Sequence, residues 1–95
     1  MGLKFVDKWG NIIRLTKERI KHIANHMELH NKLHIIEETL KYPEIVSNDP
    51  ERKEMYYYQK YLRDEDLFLI IIVKKQKTEG FIITIFKSKK TKEIE

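Results

Sequence analysis

The longest apolar run in the sequence is LFLIIIV, at residues 67–73. Its odd and even positions are both apolar, and alternate side chains of a strand point to opposite faces of a sheet. The run therefore predicts a central strand that is covered on both faces. Similar runs lie on either side of it, at residues 55–61 and 81–86, and short polar segments separate the three. Such short connections predict an antiparallel meander.

The chain before these strands predicts a hairpin and a helix. The hairpin joins residues 3–6 to residues 12–15 through a turn at Gly10-Asn11. Thr16 follows as the expected N-cap of a helix at Lys17–Glu28, whose apolar residues recur at helical spacing.

A second helix is predicted to begin after Asn31 and to end at or before Tyr42, because Pro43 disfavours a helical conformation in the preceding residue. A short strand at residues 45–47 follows. The expected fold is α+β, with two N-terminal helices, preceded by a short hairpin, packed on a four-stranded antiparallel sheet.

The length of 95 residues predicts a single domain, residues 1–95, with one modest core. Any chemistry must then occur at the surface or at the seam between the helices and the sheet, which favours polymers or partner proteins as ligands. The chain has no cysteine, so disulfides, thiolate zinc sites and cysteine nucleophiles are excluded. The N-terminus lacks a signal-like apolar run and no run reaches membrane length, so we expect a soluble, cytoplasmic protein.

The net charge of +4 and a pI of about 9.2 favour polyanionic partners. Lysines are concentrated from Lys74 onward. Residues 87–95 form a basic C-terminal tail that we expect to be mobile in the free protein.

The four histidines His22, His26, His30 and His34 follow one another at four-residue steps. On an unbroken helix this spacing would place them along one face, where they would chelate a metal ion. No acidic third ligand is evident, and exposed surface histidines are the alternative interpretation. His26 lies at the edge of the apolar stripe near Arg19, a setting that suits acid/base catalysis. A histidine that only caps a polar seam also fits this position.

Tyrosines and cations alternate in the first strand of the meander. Tyr56-Tyr57-Tyr58 and Tyr61 lie near Lys60 and Arg63, a composition that suits base stacking and phosphate binding. Tyrosine is also a good strand former that often borders a core, so a structural role is the alternative.

The last strand leads into the basic tail. Thr84 is the polar residue within an apolar run, and Ser88 would share its face, with Lys87 on the other. Thr84 is either ordinary β-branched strand sequence or a hydroxyl directed at a phosphate.

Four segments in a fixed order resemble the small phage-borne proteins of the barnase–EndoU–colicin–RelE nuclease superfamily. They are residues 19–23, 25–29, 42–46 and 80–84, and the similarity extends from about Arg14 to Lys90. The usual His-Pro-Glu of the family stands here as His26-Met27-Glu28, without the proline. Phe86 replaces the family's tyrosine, which removes a hydroxyl.

The resemblance implies helices on a four-stranded antiparallel sheet and RNA cleavage without a metal or other cofactor. His26 would be the base or acid, with His22 in a lesser role. Arg19 and Lys87 would bind the phosphate, and Thr84 and Ser88 would donate hydrogen bonds. The residues expected to contact the rest of the substrate are Tyr57, Tyr58, Lys60, Lys89 and Lys90.

Two other functions fit the sequence. The chain would be a non-catalytic module that binds nucleic acid, or a protein-interaction domain. The expected partners are RNA, an antitoxin or immunity protein in the case of a toxin or phage-derived effector, or a second copy of the chain; no membrane partner is expected.

Overall fold

The structure, a computed structural model, describes residues 2–25, 27–29 and 31–91. In chain order the elements are β1 (Leu3–Val6), β2 (Ile12–Leu15), α1 (Lys17–Ala24), α2 (Leu33–Lys41), β3 (Ile45–Asn48), β4 (Met55–Leu62), β5 (Leu67–Gln76) and β6 (Glu79–Ser88). Within these residues the strands form a six-stranded sheet in the order β1-β2-β6-β5-β4-β3.

The predicted four-stranded antiparallel sheet is wrong, because the N-terminal hairpin belongs to the same sheet. β2 pairs with β6 in parallel, and Ile13 lies opposite Gly80. A Cβ atom on Gly80 would lie only 2.8 Å from Cδ1 of Ile13. The missing side chain therefore gives Ile13 the space it needs beside β6. The sheet is mixed, since its other pairings are antiparallel.

The central position predicted for residues 67–73 is confirmed, because β5 pairs with β4 on one side and β6 on the other. Leu69, Ile71 and Val73 pack in the same core cluster as the buried residues of both helices. We call this side of the sheet the helix face. The opposite side, here called the open face, carries Ile70 and Ile72 and no helix in the part of the chain that the structure describes. Ile70 is nevertheless completely buried and Ile72 is half-buried. The predicted cover on both faces is therefore confirmed at Ile70, without a helix on the open face.

Helix α1 begins as predicted and ends earlier. The Thr16 hydroxyl caps it by accepting a hydrogen bond from the backbone N–H of Arg19, at 3.2 Å. The predicted end at Glu28 is wrong, because the helix stops at Ala24. At roughly 100° per residue, Leu29 would point away from Ile20 if the helix continued. The break allows Leu29, which is 6% exposed, to enter the core.

Helix α2 begins at Leu33 with Lys32 at the N-cap position, so the predicted N-cap Asn31 is wrong. Its end at Lys41, shortly before Pro43, agrees with the prediction. The interruption between α1 and α2 places His22 and His34 on different helices. The metal-binding hypothesis needed one continuous helix, and two of its residues, His26 and His30, lie outside the described part of the chain.

A buried polar cluster holds the β1–β2 turn against the sheet. The Asp7 carboxylate, whose side chain is 0% exposed, accepts a hydrogen bond from the Tyr58 hydroxyl at 2.6 Å and lies 3.1 Å from Nζ of Lys75. It also accepts bonds from the backbone N–H groups of Trp9 and Asn11. Burial opposes ionisation of Asp7, but these hydrogen bonds outweigh it and lower the carboxyl pKa.

Aromatic rings surround the ammonium group of this cluster. Nζ of Lys75 lies 4.3 Å from the ring centroid of Trp9, 4.5 Å from that of Tyr56 and 5.4 Å from that of Tyr58. These distances allow cation–π attraction. Asp7, Trp9, Tyr56, Tyr58 and Lys75 are called the Asp7 cluster below.

Candidate functional site

A surface cavity of about 600 Å³ lies between the α1–α2 connection and the end of β6. We call it the cleft, and its lining residues are Met27, Glu28, Lys32, Phe86 and Lys87. The two sides of the cleft come from segments far apart in the sequence, and its lining combines a carboxylate with two lysines.

A bulge in β6 sets which side chains face the cleft. The pairing between β5 and β6 shifts at Ile72/Val73, so that Val73 lies opposite Ile82 and Ile72 opposite Thr84. Beyond this shift, Lys87 lies opposite the buried Leu69 and so points to the helix face. The bulge thus directs a lysine towards the α1–α2 connection.

Arg19 ties α1 to the bulge. Its Nη1 donates a hydrogen bond of 3.3 Å to the carbonyl oxygen of Ile83. This bond fixes the position of α1 beside β6. Because Arg19 is only half-buried, its side chain stays accessible from solvent.

Charges of both signs border the cleft. Nζ of Lys87 forms an ion pair with the Glu65 carboxylate, and the two side chains are 25% and 35% exposed. The hydrogen bond from Lys87, with a smaller contribution from the charge of Lys32, lowers the pKa of Glu65. The exposed Glu28 carboxylate has no ion-pair partner within residues 2–25, 27–29 and 31–91. A carboxylate beside two ammonium groups can transfer a proton next to a bound phosphate.

The predicted catalytic residues lie in two groups. Arg19, His22 and Lys87 belong to the helix side of the sheet, and His22 is exposed in the last turn of α1. His26 lies outside the described residues. Thr84 and Ser88 lie opposite Ile72 and Phe68, so their side chains point to the open face. The sheet thus separates these two hydroxyls from the Lys87 ammonium.

Two of the predicted substrate-binding tyrosines are engaged within the protein. Tyr58 is completely buried, and its hydroxyl donates to Asp7, so burial and this bond raise its pKa. Tyr57 lies on the open face, 9% exposed, and donates to the Asp49 carboxylate at 2.7 Å. That bond is the main cause of its raised pKa. Neither ring offers a free face of any size to a ligand.

The predicted substrate-binding lysines occupy different surroundings. Lys60 points to the helix side, where its Nζ donates to the carbonyl oxygen of Tyr42 at 3.3 Å. Lys89 and Lys90 line a second cavity, of about 540 Å³, together with Phe68, Ile45 and Thr91.

Several residues at these two cavities were not predicted from the sequence: Glu28, Lys32 and Glu65 at the cleft, and Phe68 at the second cavity. A signal existed for Glu28, because it is the last residue of the motif compared with His-Pro-Glu. No sequence signal placed Glu65 near Lys87, since their contact depends on the β4–β5 turn lying beside the end of β6.

Over residues 2–25, 27–29 and 31–91, no three His, Asp or Glu side chains lie close enough together to hold a metal ion. The helices in this part of the chain are also too short and too polar to cross a membrane.

The model of one protein family matches residues 3–95, and its description is phage-Barnase-EndoU-ColicinE5/D-RelE like nuclease2, or PBECR2. The match covers almost the whole chain. The chain belongs to the PBECR2 family. The resemblance read from the sequence is therefore confirmed, and a PBECR2 domain is a nuclease-like domain of phage type. No curated protein and no solved structure matches the chain significantly.

Proposed function

We propose that this PBECR2 domain is an endoribonuclease that cleaves RNA without a metal ion and that the cleft is its active site. The observation that carries the proposal is the convergence of the α1–α2 connection with the end of β6. It sets Glu28 in one cavity with Lys32 and Lys87, two positions after His26 in the chain. Membership of the family supports nuclease chemistry in general.

In the proposed reaction a base removes the proton of a ribose 2′-hydroxyl, and the 2′-oxygen attacks the adjacent phosphorus. The bond from phosphorus to the 5′-oxygen breaks, and an acid protonates that oxygen. The products are a 2′,3′-cyclic phosphate and a free 5′-hydroxyl. His26 takes one proton transfer, because histidine titrates near neutral pH, and Glu28 takes the other.

The cations of the cleft have the second role. Negative charge accumulates on the phosphate oxygens as the 2′-oxygen attacks, and fixed positive groups stabilise that charge. Lys87 is held in place by Glu65. Arg19 is not among the lining residues of the cleft; it lies on the same side of the sheet, held by its bond to Ile83 of β6. Lys32 completes the set at the start of α2. The cleft lies at the surface, so it accepts an internal phosphodiester of a long RNA.

The test is incubation of purified protein with total RNA and with tRNA in the presence of EDTA. We expect discrete fragments ending in 2′,3′-cyclic phosphate. One catalytic proton transfer is worth about 10²–10⁴-fold in rate, so His26→Ala should lower cleavage by this factor. His34→Ala is the matched control, because His34 is an exposed histidine on α2.

Intact RNA at high protein concentration would contradict the proposal and favour a binding or interaction domain. Equal cleavage by His26→Ala and by the wild type would remove His26 from the mechanism. Cleavage that EDTA abolishes would contradict its metal independence.

A further inference from the structure

The open face carries a pair of aromatic rings at the end of the sheet that also holds the second cavity. Tyr61 on β4 lies directly opposite Phe68 on β5, and their ring centroids are 5.3 Å apart. Both side chains are partly exposed. We call these two residues the aromatic platform. Ser88 on β6 continues the row, since it lies opposite Phe68.

Hydrogen bonds within the protein fix the platform. The hydroxyl of Tyr61 donates to the Asp66 carboxylate, and the backbone N–H of Tyr61 donates to Glu44. The first of these bonds is the main cause of the raised pKa of Tyr61. The ring is therefore oriented before any ligand arrives, which reduces the entropy lost on binding.

Positive charge lies in the cavity beside Phe68. Lys89 and Lys90 are exposed and line the cavity of about 540 Å³ together with Phe68. The backbone N–H of Lys90 donates to Oγ of Ser88 at 3.1 Å, which sets the direction of the chain beyond β6. The carboxylates of Glu44 and Asp66 lie beside Tyr61, whereas Lys89 and Lys90 lie beside Phe68. The anionic edge of a ligand is therefore attracted to the Phe68 end and repelled from the Tyr61 end.

We propose that the aromatic platform with Lys89 and Lys90 binds single-stranded RNA, with bases stacked on the rings and phosphates at the lysines. Every base has a π-face, and flat rings beside lysines suit unpaired nucleotides, whereas paired bases in a duplex cannot reach the rings. An acidic peptide would use the lysines but has no general need for the rings.

The platform would extend the RNA path of the proposed active site. Lys87 lines the cleft and Lys89 lines the second cavity, two positions further along the chain. Two residues span at most about 7 Å between their Cα atoms. One RNA strand passing around the end of β6 would therefore reach both cavities. In this respect the proposal rests on the proposed function, but its test uses RNA that cannot be cleaved.

The experiment measures binding of a fluorescent 2′-O-methyl oligouridine of about eight nucleotides by anisotropy. This RNA lacks the 2′-hydroxyl that cleavage requires. Removal of one stacking ring should weaken binding about 5- to 150-fold, so we expect this loss for Phe68→Leu. Phe68→Tyr keeps the ring and should bind as the wild type does. Equal binding by Phe68→Leu and Phe68→Tyr would overturn the platform.

The role of Lys89 and Lys90 is tested through the salt dependence of RNA binding. The Lys89→Ala/Lys90→Ala double variant should reduce the slope of log K against log salt by about 1.4, since each phosphate contact to a single strand contributes about 0.7. The control, Lys21→Ala/Lys53→Ala, removes the same charge from two exposed positions outside the cavity and should leave the slope unchanged. Equal slopes for the two double variants would contradict the assignment of phosphates to Lys89 and Lys90.

A measurement on the wild-type protein covers the case in which Phe68→Leu does not fold. Photo-crosslinking of an oligonucleotide containing 4-thiouridine should label the peptides that contain Tyr61 and Phe68. Labelling confined to other peptides, or equal binding of a duplex of the same length, would overturn the proposal. If the wild-type protein binds this oligonucleotide but does not cleave RNA, the result counts against the proposed active site and leaves the platform intact.

Discussion

Two lysine–carboxylate pairs within the described residues differ in their surroundings. Asp7 and Lys75 are 0% and 12% exposed, and aromatic rings cover the ammonium group. Glu65 and Lys87 are 35% and 25% exposed and lie at the edge of the cleft. The same pair of chemical groups is therefore enclosed by protein in one place and open to a ligand in the other.

The hydrogen-bond partners make the difference sharper. The Asp7 carboxylate already accepts bonds from Tyr58, Trp9, Asn11 and Lys75, so it has little capacity left for a substrate. The cleft adds Lys32 and Glu28 beside the pair at Lys87. Removal of one partner from a buried pair destabilises the fold, because the other charge is left uncompensated. A partly exposed pair contributes little to stability and remains available for chemistry.

The largest expected effect is on stability at Asp7. Asp7→Asn removes the charge that balances Lys75 in a buried site, so we expect the free energy of unfolding to fall by about 3–5 kcal/mol. Urea denaturation followed by circular dichroism measures this change. Asp64→Asn, at an exposed position in the β4–β5 turn, should stay within about 0.5 kcal/mol of the wild type. Similar urea midpoints for both variants would remove the distinction between the two pairs.

The second prediction concerns Lys87 and activity. Lys87→Gln keeps the length of the side chain and removes the charge, so RNA cleavage should fall by about 10²–10³-fold. Its free energy of unfolding should change by less than about 1 kcal/mol, because the pair with Glu65 is partly exposed. Lys53→Gln, at an exposed lysine outside the cleft, is the control for net charge. Unchanged cleavage by Lys87→Gln would show that the cleft does not use this cation.

The third prediction is the pH dependence of stability. The folded-state pKa of Asp7 lies below its ordinary value of 3.8. Its contribution is therefore present above about pH 4 and is lost as the pH falls through the lower, folded-state pKa. Urea midpoints of the wild type should drop in this acid range, and those of Asp7→Asn should drop less. Asp49, whose pKa is lowered mainly by its bond from Tyr57, is the partly exposed comparison, and Asp49→Asn should keep most of the acid-induced loss. Parallel curves for the wild type and Asp7→Asn would show that Asp7 does not cause the loss.

The smallest expected effect is at Trp9, which is 53% exposed yet lies over the Lys75 ammonium. Trp9→Leu removes one of the rings around that charge and should cost about 0.5–2 kcal/mol. Trp9→Phe keeps a ring and should cost less. Because the chain has one tryptophan, unfolding of both variants has to be followed by circular dichroism. RNA cleavage should be unchanged in both, and a loss of activity would connect this cluster to the site.

Local patterns predicted much of the secondary structure. The hairpin, the cap at Thr16, the end of α2 before Pro43 and the antiparallel order of β4, β5 and β6 all depend on residues close together in the chain. The break after α1 was missed, because it depends on Leu29 reaching the core. The pairing of β2 with β6 was missed as well, since it joins strands far apart in the sequence and no local pattern indicates it.

The candidate site also depends on contacts between distant parts of the chain, so it was predicted only in part. Lys87 was predicted as a phosphate-binding residue and lines the cleft, although its catalytic role stays a prediction. The alternation rule places Tyr57 and Tyr58 on opposite faces but does not say which face the helices cover. Tyr58 is buried because it lies on the helix face. The row of Tyr61 and Phe68 could not be found without the register between β4 and β5.

The parallel pairing of β2 with β6 also has a consequence for the order of folding. Arg14 and Glu79 form an ion pair at this junction although they are 65 positions apart. β6 lies inside the sheet, yet it is synthesised after the other five strands in the described part of the chain. Contacts between residues so distant in sequence form slowly. We therefore expect the hairpin to wait without its neighbour until the rest of the domain has been made, and the cleft to form only when β6 joins the sheet.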